Sequence, residues 1–311
     1  MEWGGTDKDI GFLHIVRMLL NGQKLNYLIN EYLPMKNETT SSSIKLATNG
    51  SVGILKIEIP PINAFDENAL NDLMKAIHEI ENNETIKVLI IISGIKDIFC
   101  AGGDLKYWPR TYPDRPGFIS ETGCNVFTKI ENLKKPTMAA IQGQVIGDGL
   151  SLILACDIRL ASNNSTFSLP EVGYGFIPGW GTIGRLLDVV GKTVTAEMLF
   201  SGEKINAVRA QKIGLINQIK DPASLIPSAY SLSEKIAAKP PMTLSHAKAA
   251  LLGDPTRKRQ CQKAFELNCF ISAWGDNEWK AGINRLFNIE SGAVEKECLN
   301  PTNHMRNMLE I

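Results

Sequence analysis

Short apolar runs alternate with amphipathic stretches along the middle of the chain, from residue 44 to residue 219. Residues 52–59 alternate apolar and polar side chains, a pattern that predicts a half-buried strand. Continuous aliphatic runs predict strands that are buried on both faces, as in parallel sheets. Residues 88–92 are such a run, and residues 137–141 and 157–161 are predicted as a second and a third buried strand.

Helices are predicted between these strands. Residues 68–81 form the clearest case, because their apolar side chains recur at helical spacing. That apolar stripe consists of Leu70, Leu73, Met74, Ile77 and Ile80. A further helix is expected around residues 125–133. Strands that alternate with helices favour parallel pairing through right-handed crossovers, which indicates an α/β fold.

The two ends of the chain differ from this middle part. Residues 11–33 have apolar side chains at helical spacing and residues 37–43 are polar, which predicts a helix followed by a linker. After residue 217 the chain turns more polar, and helices are expected at residues 223–238, 242–251 and 257–288. We therefore expect an N-terminal helical extension and linker at 1–43, a core at 44–222 and a helical C-terminal region at 223–311.

Composition and charge exclude several classes of protein. Apolar residues make up 44% of the 311 residues and charged residues 21%, as is usual for a globular protein. The formal net charge is zero, whereas a nucleic-acid partner usually requires a basic surface, so none is expected. We also expect no membrane span and no targeting signal, because the apolar run at residues 10–20 is short and contains His14 and Arg17. The predicted location is cytoplasmic.

The six cysteines show no pattern of metal ligands or paired disulfides. They are Cys100, Cys124, Cys156, Cys261, Cys269 and Cys298. Zinc sites usually contain CxxC pairs, and disulfide scaffolds occur in small secreted domains, so neither is expected here. We interpret these residues as free thiols in a reducing compartment, and we expect no metal and no redox cofactor.

Two glycine-containing segments follow predicted strands and have the composition of ligand-binding turns. Phe99-Cys100-Ala101-Gly102-Gly103-Asp104-Leu105 lies after the strand at 88–92, and Gly147-Asp148-Gly149-Leu150-Ser151 lies after the strand at 137–141. Glycine lets the backbone approach a ligand closely, and a turn that begins a helix presents unpaired N–H groups. One N–H from each segment could hold a single oxygen as negative charge develops on it. A plain turn between strand and helix is the alternative interpretation.

A third segment, residues 168–181, is rich in glycine and proline and carries one carboxylate, Glu171, between apolar neighbours. A carboxylate that is removed from water has a raised pKa and can carry protons. The alternative is a surface glutamate or one half of an ion pair, which is the usual environment of a lone loop glutamate.

The order and spacing of the three segments resemble the crotonase (enoyl-CoA hydratase/isomerase) superfamily. The resemblance rests on FCAGGDL at 99–105, KPTMAAIQGQVIGDGLSLILACDIRLAS at 135–162, FSLPEVGYGFIPGWGTIGRL at 167–186 and VGKTVTAEMLFSGEKINAVRAQKIGLINQI at 190–219. It implies an α/β spiral of ββα units with a helical C-terminal region, assembled as a homotrimer or hexamer. It also implies a substrate whose acyl group is a thioester of coenzyme A or of a carrier-protein phosphopantetheine arm.

The resemblance assigns roles to individual residues. The N–H groups of Ala101 and Asp148 would form the oxyanion hole, and Glu171 and Ser151 would be the catalytic pair. Residues expected to contact substrate are Gly102, Gly103, Asp104, Leu105, Tyr107, Gly147, Gly149 and Trp180. Two positions depart from the family pattern: Asp148 stands where glycine is usual, and Ser151 stands where two-carboxylate hydratases have glutamate. We expect the Asp148 side chain to be paired or to point away from the site.

With Glu171 as the single acid/base, the implied activity is isomerisation or hydration/lyase chemistry through an enolate. A thioester hydrolase or decarboxylase on the same scaffold is a second hypothesis. A third, of another class, is a non-catalytic relative that binds acyl-CoA, a carrier protein or RNA. Ser151 has two open interpretations: it could bind a water or a substrate hydroxyl, or it could be a small helix residue that only packs.

Overall fold

A computed structural model describes residues 36–40, 43–252, 255–275 and 278–287. Its strands are β1 Lys36–Thr40, β2 Ile44–Asn49, β3 Val52–Ile57, β4 Ala64–Phe65, β5 Val88–Ser93, β6 Ile98–Cys100, β7 Gly102–Gly103, β8 Thr137–Ile141, β9 Gln144–Ile146, β10 Ile158–Ser162, β11 Thr166–Ser168, β12 Ile205–Asn206 and β13 Gln218–Lys220. Its α-helices are α1 Glu67–Asn82, α2 Trp108–Thr111, α3 Pro116–Glu131, α4 Gly149–Leu154, α5 Thr182–Ser201, α6 Ala207–Lys212, α7 Pro222–Ala237, α8 Pro241–Leu252, α9 Pro255–Gly275 and α10 Glu278–Leu286. A 3₁₀ helix covers Glu171–Tyr174.

Two sheets run side by side through the molecule. The larger has the order β1-β2-β3-β5-β8-β10-β13, and its strands from β3 to β13 pair in parallel. The smaller has the order β12-β11-β9-β6, with β6, β9 and β11 in parallel. Successive turns of the chain add one strand to each sheet, as β5 then β6, β8 then β9, and β10 then β11. The predicted spiral of ββα units is confirmed.

Helix α1 illustrates how local sequence builds one turn of this spiral. Asp66 caps the helix, because its side chain accepts a hydrogen bond from the Ala69 N–H at 2.7 Å. The predicted apolar stripe faces inward, and Leu70, Leu73 and Ile77 are fully buried. Helix and stripe therefore agree with the sequence pattern, with the helix one residue longer at each end.

The core lies on both faces of the larger sheet. Most buried apolar residues lie between the two sheets and the surrounding helices. On the opposite face, α7 contributes Leu225, Ile226 and Ala229, which pack on Ile90 and Met138. Burial on both faces explains the continuous aliphatic runs of β5 and β8.

The structure differs from the sequence predictions at the ends of several elements. The expected polar linker at 37–43 instead includes β1, which pairs with β2 as an edge strand of the larger sheet. The helix expected at 125–133 begins earlier, at Pro116, and the one expected at 257–288 is divided into α9 and α10. The predicted N-terminal helix at 11–33 lies outside the described residues. Within the described ranges, no helix is long and apolar enough to cross a membrane.

Candidate active site

A mostly apolar cavity with a volume of about 60 Å³ lies where the predicted site segments meet. Its walls come from both glycine turns, the 3₁₀ helix, α2, α3 and α9. The lining residues are Ala101, Gly103, Leu105, Trp108, Pro109, Ile119, Ile146, Gly147, Asp148, Ser168, Pro170, Glu171, Tyr174, Phe176, Trp180, Phe270 and Trp274. Seven predicted site residues therefore share one cavity: Ala101, Gly103, Leu105, Gly147, Asp148, Glu171 and Trp180.

The two glycine turns meet because β6 and β9 are parallel neighbours that end at the same edge of the smaller sheet. A Cβ added to Gly102 would lie 3.0 Å from the Asp148 nitrogen, and one added to Gly149 would lie 2.4 Å from the Cys100 carbonyl oxygen. Neither glycine lines the cavity. Both predicted substrate contacts, Gly102 and Gly149, instead let the turns pack directly on each other.

The Ala101 N–H is already used within the fold. It donates to the carbonyl oxygen of Asn63 at 3.3 Å. The neighbouring N–H groups of Gly102 and Asp104 donate to Cys100 Sγ at 3.4 Å and to the Phe65 carbonyl at 3.0 Å. The Ala101 N–H is therefore directed toward Asn63 in this structure, although Ala101 lines the cavity, and its role in an oxyanion hole stays a prediction.

Glu171 begins the 3₁₀ helix, and its carboxyl group faces the turn at Gly147. A Cβ added to Gly147 would lie 2.5 Å from Glu171 Oε1, so only glycine leaves room for this carboxyl. Glu171 is 4% exposed, and among the described residues its Oε2 has no hydrogen-bond partner. A buried polar atom without a partner is costly and indicates a place for a ligand or a water.

The environment of Glu171 favours its neutral form. Burial and, next in size, the negative charge of Asp148 raise the pKa of Glu171 well above its usual value. The main-chain N–H groups of Glu171 and Asp148 act in the opposite direction but do not offset burial. A carboxyl with a raised pKa in a mostly apolar cavity can both give and accept a proton.

The Asp148 side chain is fully paired, as expected, and points toward the start of α5. Its Oδ2 accepts from the Gly179 N–H at 3.2 Å, and its Oδ1 accepts from the Trp180 N–H at 3.2 Å and from Thr182 Oγ1 at 2.7 Å. Burial raises the pKa of Asp148, whereas these three donors and the positive charge of Arg185 lower it. Asp148 lines the cavity and its main-chain N–H bonds to the Glu171 carboxyl, while its side chain binds the loop at 179–180.

Ser151 lies behind the cavity rather than in it. It is completely buried in α4, and its Oγ lies 2.9 Å from the Trp180 carbonyl oxygen and 2.6 Å from Thr182 Oγ1. It does not line the cavity. The catalytic assignment of Ser151 is therefore wrong in this structure: the hydroxyl joins the loop at 180–182 to α4 and cannot contact a substrate there.

Two more predicted contacts have local structural roles. Asp104 Oδ1 accepts from the main-chain N–H groups of Lys106 at 2.7 Å and Tyr107 at 3.1 Å, and so caps the turn that leads into α2. The Tyr107 hydroxyl donates to Glu67 Oε2 at 3.2 Å, and burial followed by this carboxylate raises the pKa of Tyr107 to about 12. Neither side chain is part of the cavity wall.

Much of the aromatic wall was not predicted. Phe270 and Trp274 come from α9, one helical turn apart, and Trp108 comes from α2. Trp180, which was predicted, is fixed by its indole N–H, which donates to the Ile119 carbonyl at 3.0 Å. The spacing of Phe270 and Trp274 was a visible signal of one apolar helix face, but the sequence does not show which surface that face covers.

The other chemistry of the cavity is limited. Across the described ranges, no group of three or more His, Cys, Asp or Glu side chains is arranged to hold a metal ion. Cys100, Cys124, Cys156 and Cys269 are free thiols, as expected. Burial raises the pKa of Cys100 to about 12, so this thiol next to the cavity stays neutral and is a poor nucleophile.

The fold, the paired glycine turns and the buried glutamate define an α/β enzyme of the crotonase type. The chain belongs to the enoyl-CoA hydratase/isomerase family, which matches residues 47–289. Members of this family are lyases and isomerases.

Individual relatives agree with this assignment. The short-chain-enoyl-CoA hydratase of Clostridium acetobutylicum is 30% identical over 259 residues, which cover 82% of this chain and 97% of the relative. The 2,3-dehydroadipyl-CoA hydratase of Escherichia coli K12 is 34% identical over 221 residues, covering 70% and 86%. The structure of an enoyl-CoA hydratase from Bacillus halodurans has a TM-score of 0.74 at 20% identity, covers 78% of this chain and 100% of that chain, and shows the fold alone.

Proposed function

We propose that this enzyme binds an acyl thioester and moves a proton at its acyl chain through an enolate, with Glu171 as the single acid/base. The observation that carries the proposal is the buried Glu171 Oε2 without a hydrogen-bond partner in an apolar cavity. Such an oxygen gains a partner when a C–H acid or a water occupies the cavity. The relatives named above act on CoA thioesters, and we extend that substrate class, with coenzyme A or phosphopantetheine as the carrier, to this chain.

The thioester carbonyl would be held by two main-chain N–H groups. We assign one to Asp148, as expected from the sequence, and its N–H would pass from the Glu171 carboxyl to the substrate oxygen. We assign the second to the first glycine turn, where Ala101 and Gly103 both line the cavity. Both donors stabilise negative charge on the carbonyl oxygen as the enolate forms. The homotrimer or hexamer and the cytoplasmic location also stay predictions.

The arrangement favours reactions that need one carboxyl. Hydration that depends on two carboxylates must hold and split one water between them, and Ser151 is buried away from the cavity where the second would lie. Glu171 alone can carry a proton between two carbons of an acyl chain, or between a carbon and a water. The cavity volume of about 60 Å³ corresponds to roughly four to six waters, which fits a compact acyl group.

The test is exchange of solvent deuterium into the α-carbon of acyl thioesters, together with turnover, in the native enzyme and in Glu171→Gln. The variant is expected to lose roughly 10²- to 10⁴-fold in both, as is usual when a general acid/base is removed. Glu203→Gln, on an exposed loop, is the matched control and should behave like the native enzyme. A loss of less than about tenfold in Glu171→Gln removes this residue from the mechanism.

The same substrates also separate the competing activities. A panel of acyl-CoA and acyl-carrier thioesters is followed by mass spectrometry and chromatography. A gain of water or an unchanged mass with a new retention time supports hydration or isomerisation. Release of free thiol supports a hydrolase, and loss of CO₂ supports a decarboxylase. Binding without exchange or turnover of any thioester supports a non-catalytic relative.

A further inference from the structure

We propose that Asp148 is a positioning residue that keeps a fixed negative charge beside Glu171 and thereby strengthens Glu171 as a proton carrier. The proposal deepens the proposed function and rests on it for its catalytic meaning. It concerns the position at which this chain has an acidic residue in place of the glycine expected from the family pattern. The buried Glu171 and the half-buried Asp148 both line one cavity, and the Glu171 carboxyl packs against Gly147, next to Asp148 in the chain. Among the described residues, Glu171 Oε2 has no hydrogen-bond partner, whereas both Asp148 oxygens have one.

The hydrogen bonds decide which carboxyl carries the charge. Asp148 accepts from the main-chain N–H groups of Gly179 and Trp180, in the loop before α5, and from the hydroxyl of Thr182, the first residue of α5. These three donors and the positive charge of Arg185 favour the ionised form of Asp148, although burial still keeps its pKa above the usual aspartate value. Glu171 Oε2 has no such donor in the described structure, and the pKa of Glu171 lies well above its usual value. Asp148 is therefore the carboxyl of the pair that ionises more readily, and Glu171 is the one that keeps its proton.

The hydroxyl groups behind the cavity are consistent with this assignment. Thr182 donates to Asp148 at 2.7 Å, and Ser151 Oγ donates to the Trp180 carbonyl oxygen at 2.9 Å while lying 2.6 Å from Thr182 Oγ1. Arg185 Nη1 also donates to the Trp180 carbonyl oxygen, at 2.9 Å. With Asp148 ionised, the single Ser151 proton is shared between the Trp180 carbonyl oxygen and Thr182 Oγ1. In this network the buried Ser151 hydroxyl contacts Thr182 Oγ1 and so orients the Thr182 hydroxyl that donates to Asp148.

The other ionisable groups near the pair support the same separation. From α5, Arg185 places a positive charge near Asp148 and also pairs with Glu131 of α3 at 3.3 Å. From α9, Glu266 accepts from the Gly184 N–H at 3.2 Å, and burial and then the Asp148 charge raise the pKa of Glu266 to about 7. From the 3₁₀ helix, Tyr174 stays neutral, because burial and then Glu171 raise its pKa to about 12. Arg185 thus favours the Asp148 anion, while none of these groups offers Glu171 a donor.

The Asp148 charge affects proton transfer both from Glu171 to the substrate and from the substrate back to Glu171. When Glu171 gives its proton to an enolate carbon, the O–H bond breaks, the enolate electron pair forms the C–H bond, and Glu171 becomes a carboxylate next to the Asp148 charge. That charge makes the ionised Glu171 a stronger base than a glutamate in water, so it readily takes a proton back. A carboxyl whose proton affinity is matched to neutral pH works best in such a cycle.

The experiment titrates the Glu171 carboxyl directly by infrared difference spectroscopy, without substrate. The band of the protonated group is identified by its loss in Glu171→Gln. In the native enzyme its midpoint should lie well above the usual glutamate value, as burial and the Asp148 charge predict. In Asp148→Asn and Asp148→Gly the midpoint should fall by at least about one pH unit, because the neighbouring charge is gone. Asp221→Asn, an exposed carboxylate with a similar charge change, is the control and should leave the midpoint unchanged.

Two outcomes overturn the inference. One is a native midpoint near the usual glutamate value of about 4.3, which can be measured even if neither Asp148 variant folds. The other is an unchanged or higher midpoint in the folded Asp148 variants. With a thioester that is turned over, the acidic limb of the kcat profile should move to lower pH in the same variants. If Glu171→Gln keeps its turnover while the infrared shift occurs, the proposed function fails and the charge coupling stands.

Discussion

Asn63 joins three strand ends beneath the first glycine turn, and its removal should destabilise the whole core. Its Nδ2 donates to Ser93 Oγ and to the Phe99 carbonyl, both at 2.9 Å, and more weakly to the Ile57 carbonyl at 3.3 Å. Its Oδ1 accepts from the Ile59 N–H at 2.7 Å. Asn63 is completely buried and has a φ of 51°, in the left-handed region. We therefore expect Asn63→Ala to be one of the most damaging substitutions of a polar residue in this chain.

The magnitude follows from these contacts. Three well-formed hydrogen bonds are lost, at about 1 kcal/mol each. Alanine at a left-handed φ costs about 1–2 kcal/mol more, because its Cβ approaches the following carbonyl oxygen and it lacks the polar side chain that lets asparagine tolerate this region. The expected loss is about 4–5 kcal/mol of unfolding free energy. That is a large part of the total stability of a domain, which is about 5–15 kcal/mol.

Urea unfolding of native enzyme, Asn63→Ala and Asn63→Gly separates the two contributions. Glycine loses the same hydrogen bonds but accepts the positive φ, so Asn63→Gly should be the less damaged of the two variants. Asn163→Ala is the control, since the Asn163 side chain bonds only to Asp221 on an exposed surface, and it should change stability by less than about 0.5 kcal/mol. A loss below about 1 kcal/mol in Asn63→Ala would refute this reasoning.

Two further predictions concern the cavity walls. Gly123→Ala places a Cβ 2.2 Å from the ring of Trp180, whose indole is held by a hydrogen bond. The variant should lose about 1–3 kcal/mol of unfolding free energy and should turn over substrate more slowly. Gly173→Ala is the control: its Cβ meets no atom within 4 Å, so stability and turnover should both stay unchanged. Burial raises the pKa of Glu266 from 4.5 to about 7, so its stabilising contribution is full below pH 4.5 and is lost as the pH rises through about 7. Glu266→Gln should therefore flatten the dependence of unfolding free energy on pH across that window, and an unchanged slope would contradict the assignment.

Patterns that depend on local sequence were read correctly. The aliphatic runs of β5 and β8 predict strands that are covered on both faces, and the apolar stripe of α1 predicts a helix with one buried face. The local sequence also singled out Glu171 as a carboxylate between apolar neighbours, although its acid/base role came from the resemblance to the family and stays a prediction. These features are set by neighbours within a few residues, so the sequence contains most of the information needed to find them.

Features set by the docking of distant segments could not be read in this way. Phe270 and Trp274 reach the cavity only because α9 packs across it, far along the chain from the glycine turns. The direction of the Ala101 N–H depends on the carbonyl of Asn63, which faces it through the β4–β7 pair. Ser151 was assigned to the site by its position in a motif, yet its rotation on α4 turns the hydroxyl toward the loop at 180–182.

Asp148 shows why the direction of one side chain matters more than its identity. A carboxylate aimed into the cavity would repel an enolate and oppose the proposed chemistry. The Asp148 side chain instead binds Trp180 and Thr182, away from the cavity. The main-chain N–H of Asp148 still bonds to the Glu171 carboxyl, and the Asp148 charge raises the pKa of Glu171. The energetic cost of burying that charge is offset by Thr182, two main-chain donors and Arg185. An acidic residue at this turn is therefore compatible with enolate chemistry only where such donors hold its side chain. We expect that a relative with aspartate at this turn also has serine or threonine at the start of the following helix.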